Sequence, residues 1–377
     1  MNFEGYLGKD IPKLGFGLMR LPRLEDASAA VDMPQFKAMV DMFLDAGFTY
    51  FDTAYGYADS EVAAKEALVD RYPRESFQLA TKLPAWNAKT QAEAEAMFYT
   101  SLERTGAGYF DYYLLHNFGA HRSAFFDRYH IWEFLAERKA EGLIKNLGFS
   151  LHDKADLLDK LLTEHPETDF VQLQINYADW ESPSIQSRLC YETALAHNTP
   201  VVLMEPVKGG SLATLPESVR RVFAEADPTA SPASWALRYA GSLDGIITVL
   251  SGMSDLEQMS ENIALFSDFK PLDASEREVI ARILAELEKL PTIACTSCGY
   301  CLNDCPENIA IPGIFETMNE LTLFGNERGA KFGYSWETKG HKRRSASACS
   351  ECGACEEVCP QQLPIRKHLK EAVALFE

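Results

Sequence analysis

IKNLGFSLHDKADLLDKLLTEHPETDFVQLQINY, residues 144–177, is the stretch whose reading decides the fold. It begins with a short β-branched and aromatic run (144–150). A segment with apolar residues at three- and four-residue steps follows (154–165), and then a second strand-like run (170–177). Strand, helix and strand in succession form a βαβ unit, which places the two strands parallel. The same alternation extends in both directions. Strands are predicted at 13–19, 49–54, 77–83, 112–117, 144–150, 170–177, 200–206 and 245–252, with helical patterns between them at 35–47, 60–70, 131–143, 154–165 and 231–243. Eight such repeats over about 250 residues predict a (β/α)8 barrel of the TIM type. A doubly wound sheet shares the alternation but carries a Gly-rich phosphate loop after its first strand, and GFGLMR (15–20) is not one.

Beyond the eighth strand lie SDLEQMSENIALF (254–266) and DASEREVIARILAELEKL (273–290), an amphipathic helix with Asp273 and Ser275 as candidate caps. Eighteen residues reach about 27 Å at 1.5 Å each, enough to carry the chain from the bottom of a barrel towards the face where barrel active sites are built. Eight of the nine cysteines follow in two copies of one run. These are Cys295, Cys298, Cys301, Cys305 with Pro306, and Cys349, Cys352, Cys355, Cys359 with Pro360. The C-x2-C-x2-C-x3-C-P spacing is that of bacterial ferredoxins. Three thiolates of a run wrap one [4Fe–4S] cluster, and the fourth usually ligates the other. Zinc needs four ligands per ion and leaves half of these thiols unexplained. A disulfide framework belongs to short secreted chains. The 37-residue insertion IPGIFETMNELTLFGNERGAKFGYSWETKGHKRRSAS (311–347) favours a mainly helical two-cluster domain over the small β-rich ferredoxin. Cys190, in SRLCYETALAHN, reads as a buried core thiol.

The chain has 377 residues, 46% of them hydrophobic, and a formal charge of −19. That charge argues against nucleic acid and anionic membranes as partners. No apolar run approaches a membrane span, and MNFEGYLGKD carries no signal-sequence pattern. A soluble, cytoplasmic protein is expected. Its domains are predicted as a barrel over 1–272, a connecting helix over 273–290 and an iron–sulfur domain over 291–377.

Polar residues mark the strand ends in a particular order. FDTAYGYADSE holds Asp52 and Tyr57, Lys82 ends LATKL, and His116 ends YYLLH. All four are predicted at the C-terminal ends of successive strands, facing one mouth. In residue type, order and strand position, this chain resembles the aldo-keto reductase superfamily over about residues 12–270. The C-terminal cysteine runs resemble those of its bacterial and archaeal branch with a [4Fe–4S] domain. The resemblance implies reduction of an aldehyde or ketone by a nicotinamide cofactor. A tyrosine hydroxyl, with a reference pKa near 10, is a reluctant acid. Lys82 is expected to stabilise the tyrosinate left by Tyr57, Asp52 to orient Lys82, and His116 to polarise the substrate oxygen.

The resemblance further implies nicotinamide contacts at Ser150 and Gln174, adenine contacts at Glu261 and Asn262, and a pocket wall at Trp86. Lys208, Gly209 and Gly210 match a pyrophosphate-binding stretch. Departures from the family pattern matter as well. Leu151 stands where many relatives have Asn, and Glu205 where they have a ring stacked on nicotinamide. Gly252, Met253 and Gln258 replace the Lys, Ser and Arg that grip a 2′-phosphate, so NADH is favoured over NADPH.

Hydride chemistry and one-electron clusters on one chain leave three readings. The barrel reduces a carbonyl with NAD(P)H, or the clusters feed electrons from ferredoxin to the barrel site, or the protein is a redox sensor or electron carrier. The basic run Lys339, His341, Lys342, Arg343 and Arg344 is either a solvated loop or a docking site for an acidic ferredoxin or flavodoxin.

Overall fold

The computed structural model describes residues 7, 10–24, 30–119 and 122–377; most of MNFEGYLGKD lies outside them. Eight parallel strands close into a barrel in sequence order. They are β1 Leu14–Gly17, β2 Tyr50–Asp52, β3 Gln78–Leu83, β4 Phe110–Phe118, β5 Ile144–Leu151, β6 Phe170–Gln174, β7 Val201–Met204 and β8 Ile246–Ser251. Each predicted strand is present, and closure excludes the doubly wound alternative. The predicted first strand is cut short because Leu18–Arg20 tightens into a 3-10 turn.

Side chains alternate in and out along a strand, and this alternation organises the interior. Tyr50, Tyr112 and Phe170 plug the barrel, with ring centroids 4.9 Å apart for the tyrosines and 5.1 Å for Tyr112 and Phe170. Two or four residues further along the same strands come Asp52, His116, Gln172 and Gln174. These side chains therefore stand on the same faces as the plug. The plug needs room, which glycines provide. A Cβ on Gly148 would lie 2.2 Å from the Phe170 carbonyl oxygen and 2.8 Å from its ring. Outside the barrel, Phe16 and Phe51 pack against Phe43 at 5.7 and 5.2 Å. Phe43 belongs to helix Met33–Asp45, which is capped by the Asp32 carboxylate. Among the described residues no helix is long and apolar enough to cross a membrane.

The chain forms two compact units, Met1–Pro206 with Ala236–Leu272, and Val207–Trp235 with Asp273–Glu377. In the second, helix Ala274–Leu287 starts with a capping box between Asp273 and Glu276. It packs on helix Glu217–Ala226 from the β7–β8 crossover, with Arg282 and Glu225 paired at 2.8 Å. The crossover is tied to the cysteine-rich part by Thr214 Oγ1, which donates to the Phe324 carbonyl, and by Asn326 Nδ2, which donates to Ser211 Oγ.

The cysteine runs extend into a backbone duplication. Ser297 and Glu351, Gly299 and Gly353, and Asn308 and Gln362 hold left-handed conformations at matching places. Short helices Tyr300–Asn303 and Ala354–Glu357 follow, then the longer Ile311–Phe324 and Ile365–Phe376, and each pair packs together. The expectation of a mainly helical domain holds.

Replacing Gly148 with alanine should destabilise the barrel by about 1–3 kcal/mol, the usual range for overpacking. An alanine at Gly56, where a Cβ meets nothing within 4 Å, should shift stability by no more than about 0.5 kcal/mol. Denaturant unfolding of the two variants checks both.

Candidate active site

Lys82 is 1% exposed and Asp52 3%. The Lys82 ammonium donates to Asp52 Oδ1 at 2.5 Å and to the Thr53 carbonyl at 2.7 Å, and it stands 3.4 Å from the Tyr57 hydroxyl. Gln172 Nε2 donates to the other oxygen, Asp52 Oδ2, at 3.1 Å. Burial pushes the Asp52 carboxyl above its ordinary value against the pull of Lys82. For Lys82, burial acts to lower the pKa, but Asp52 and Tyr57 outweigh it and the ammonium is favoured. Burial also raises Tyr57, opposed by Lys82.

A short loop turns Tyr57 back over the lysine. The Tyr55 N–H donates to the Lys82 carbonyl, and the Tyr57 N–H to the Ala54 carbonyl. Ser60 Oγ lies 2.7 Å from Thr53 Oγ1 and donates to the Leu18 carbonyl.

His116 lies between Tyr57 and Trp86, with ring centroids 5.7 and 5.6 Å away. The β4–β5 register shifts between Leu115 and Phe118, and Asn117 adopts φ 57°. Such an irregularity re-aims side chains at a strand end. The Asn117 N–H donates to Ser150 Oγ at 2.7 Å. His116 Nδ1 and Asn117 Oδ1 are buried without a hydrogen-bond partner. Burial, then the charge of Lys82, drives the His116 pKa well down, so its imidazole is neutral. His152 is held down to about 4 by burial, Arg122 and Lys82.

The other expected residues scatter. Gln174 Nε2 donates to Asp179 Oδ2 at 3.0 Å. Glu205, at φ 60°, sits 3.7 Å from Arg20. Asn262 Nδ2 is engaged by Ser251 Oγ at 2.8 Å, while Glu261 is exposed on helix Leu256–Ser267. Met253 is buried, and Gln258 bonds Asp255 and the Ser254 N–H at that helix's start. Lys208, Gly209 and Gly210 all have positive φ, and the Lys208 ammonium pairs with Glu320 at 3.1 Å. A pyrophosphate would have to compete with that carboxylate. In the basic run, Arg343 bonds Asn308, Arg344 pairs with Glu307 and His341 pairs with Glu337. Cys190 is 4% exposed, in the core as expected.

Sequence reading missed Gln172 and Asn117. A signal for Gln172 existed, since it shares the inward face of β6 with Gln174; Asn117 offered none.

In the second unit, two cavities divide the eight cysteines. One, of about 340 Å³, is lined by Cys295, Cys298, Cys301 and Cys359 with Ile311, Phe315 and Ile365. The other, of about 290 Å³, is lined by Cys349, Cys352, Cys355 and Cys305 with Ile309 and Leu369. Each takes three thiols from one run and the last from the other. Burial and then the neighbouring cysteines push the Cys301 thiol up to about 12. Four crowded sulfurs in an apolar recess are a donor set that fits an iron–sulfur cluster.

An eight-stranded parallel barrel whose mouth holds a buried lysine against a tyrosine, joined to a cysteine-rich helical unit, defines a class of barrel oxidoreductases. The aldo/keto reductase family profile matches residues 13–285, and a 4Fe-4S dicluster domain profile matches residues 294–364. The chain belongs to the aldo/keto reductase family, and it is an oxidoreductase that carries a 4Fe–4S domain. It is 26% identical to methylglyoxal reductase DkgA of Escherichia coli O157:H7, over 73% of this chain and 90% of that protein. Identity is also 26% to a 9,11-endoperoxide prostaglandin H2 reductase of Trypanosoma cruzi, over 71% of this chain and 87% of that one. Among solved structures, the holo form of an aldo-keto reductase from Bacillus halodurans matches with TM-score 0.57 and 25% identity, covering 74% of this chain and 95% of that one. A Klebsiella pneumoniae aldo-keto reductase solved with NADPH shares the fold, with TM-score 0.57 and 22% identity over 73% of this chain and 91% of that one.

His116 and His152 stay neutral in the fold, whereas free imidazole has a reference pKa of about 6.5. Below that pH the unfolded chain binds more protons, so the stability present above about 6.5 falls as pH drops towards 4. Thermal unfolding at stepped pH should show this loss, and His152→Gln should reduce the slope.

Proposed function

We propose that the barrel reduces the carbonyl group of a small molecule, with Tyr57 as the proton donor. The observation that carries this reading is the Lys82 ammonium, bonded to Asp52 on one side and 3.4 Å from the Tyr57 hydroxyl on the other. Burial by itself makes Tyr57 a poorer acid. The adjacent ammonium opposes that effect by stabilising the tyrosinate that remains once the proton has moved to the carbonyl oxygen. Asp52, held by Gln172, keeps Lys82 charged and in place. Neutral His116, packed between Tyr57 and Trp86, is assigned to hydrogen-bond the same oxygen.

A bound nicotinamide supplies the hydride. Ser150, whose hydroxyl accepts from the Asn117 N–H, and Gln174, whose amide donates to Asp179, are assigned to the carboxamide, with Glu205 assigned to the nicotinamide end. Gly252, Met253 and Gln258 offer no cation for a 2′-phosphate, which supports NADH as the favoured cofactor. Glu261 and Asn262 are assigned to the adenine end.

The second unit is read as holding two [4Fe–4S] clusters, one on Cys295, Cys298, Cys301 and Cys359 and one on Cys349, Cys352, Cys355 and Cys305. Such clusters supply one-electron transfer. In the basic run, three of the five residues are bound to neighbours within the unit, which favours the solvated-loop reading over ferredoxin docking.

Tyr57→Phe should lower kcat for a small aldehyde by roughly 10²–10⁴-fold, the usual share of a general acid, while nucleotide binding followed by fluorescence is retained. Turnover that survives the change rules out Tyr57 as the acid. The crossed ligation has its own check in anaerobically reconstituted protein. The double variant Cys305→Ser/Cys352→Ser should keep one cluster, with about half the iron of the parent. Cys305→Ser/Cys298→Ser should keep neither. The reverse pattern would show that each run holds its own cluster.

A further inference from the structure

Arg122 is a half-buried guanidinium beside the proposed reaction centre, and no anion among the described residues pairs with it. Its backbone is fixed after β4. The N–H groups of Arg122 and Ser123 and the Ser123 hydroxyl all donate to the Gly119 carbonyl. The guanidinium lies 5.1 Å from the centre of the Trp86 ring. Trp86 in turn packs on His116 at 5.6 Å and on Phe126 at 6.3 Å. Among the described residues, the Arg122 guanidinium makes no hydrogen bond or ion pair.

That is unusual in a chain with 55 acidic and 36 basic residues. Other partly buried arginines of the barrel are matched: Arg74 with Asp111 at 2.6 Å, and Arg104 with Glu61 at 3.4 Å. The acid nearest in sequence to the β5 end, Asp153, accepts from the Lys154 N–H. His152 faces the same region. Beyond burial, the charges of Arg122 and Lys82 act on His152. Five N–H donors in a rigid fork match a carboxylate in bidentate fashion.

We propose that Arg122 forms a carboxylate subsite and that the substrate is a short oxo acid, its carbonyl at Tyr57 and His116 and its carboxylate at Arg122. The inference rests on the carbonyl-reductase reading above and specifies its substrate class. In the reaction the carbonyl carbon gains the nicotinamide hydride and its oxygen gains the Tyr57 proton. The product is a hydroxy acid, and the carboxylate is unchanged. Trp86 packs against both Arg122 and His116, and the proposal runs a chain of a few carbons along it.

The test compares 4-oxobutanoate with butanal, and 5-oxopentanoate with pentanal. The holoenzyme should prefer at least one acid over its neutral partner by roughly ten- to a hundredfold in kcat/KM, the size of a charge-assisted hydrogen bond. Arg122→Gln should collapse that ratio, mainly through KM, and Arg122→Lys should restore part of it. Each ratio is taken on one preparation, so partial misfolding cancels. Calorimetric binding of 4-hydroxybutanoate and 5-hydroxypentanoate, against 1-butanol and 1-pentanol, needs no turnover. Arg122-dependent binding without any carbonyl reduction would keep the anion subsite and overturn the reductase reading. Reduction with no acid preference, or a preference that Arg122→Gln leaves intact, overturns the subsite and leaves the reductase reading standing.

Discussion

A charged lysine sits in the interior of this barrel, and the rest of the site depends on how that charge is compensated. Taking an ammonium and a carboxylate out of water costs several kcal/mol per ion, so the Asp52–Lys82 pair is a poor way to stabilise a fold. The surroundings are built to offset the cost. Asp52 has a partner for each oxygen, Lys82 and Gln172, and Lys82 also has the Thr53 carbonyl. The remaining ammonium contact is to the Tyr57 hydroxyl. A buried charge with one side left towards a phenol suits the proton transfer proposed for Tyr57 more than it suits stability. Its field also helps keep His116 neutral, so the two polar groups at the mouth differ in character: one phenol beside a cation, one uncharged ring.

The second unit meets a different constraint with the same economy of means. Four thiols gathered in an apolar recess repel one another once ionised, a cost that the proposed cluster would offset. Two copies of one backbone motif supply the thiols. In each copy the tight turns use left-handed residues at matching positions, and each copy gives its last cysteine to the other's cavity. Exchange of ligands makes neither half complete without its partner. The crossover after β7 is joined to this unit through Lys208, Ser211 and Thr214, so the barrel sequence is interrupted by a segment that packs with the cysteine-rich part.

Much of this was legible in the chain. The eight strands followed from short β-branched and aromatic runs separated by helical steps, because burial on both faces of a parallel sheet leaves a near-continuous apolar signature. Asp52, Lys82 and His116 were visible because they stand at or near the ends of β2, β3 and β4, and Tyr57 because it follows Asp52 in the loop after β2. The cysteine runs were plain from spacing alone. Arg122 escaped notice because nothing local distinguishes an arginine that finds a carboxylate from one that does not. For the same reason Lys208, read as a phosphate ligand, could not be seen to meet Glu320 from a helix more than a hundred residues away.

By itself, then, the sequence determined what depends on neighbours along the chain: strand and helix periodicity, helix caps such as Asp273, and the paired metal-ligand runs. Tertiary structure alone decided which side chains satisfy one another across the barrel. It matched Gln172 to Asp52 across the interior and, among the described residues, set the Arg122 guanidinium against an aromatic face. Local periodicity is written in every few residues. Charge compensation is settled only when distant strands close and bring their inward faces within hydrogen-bonding reach.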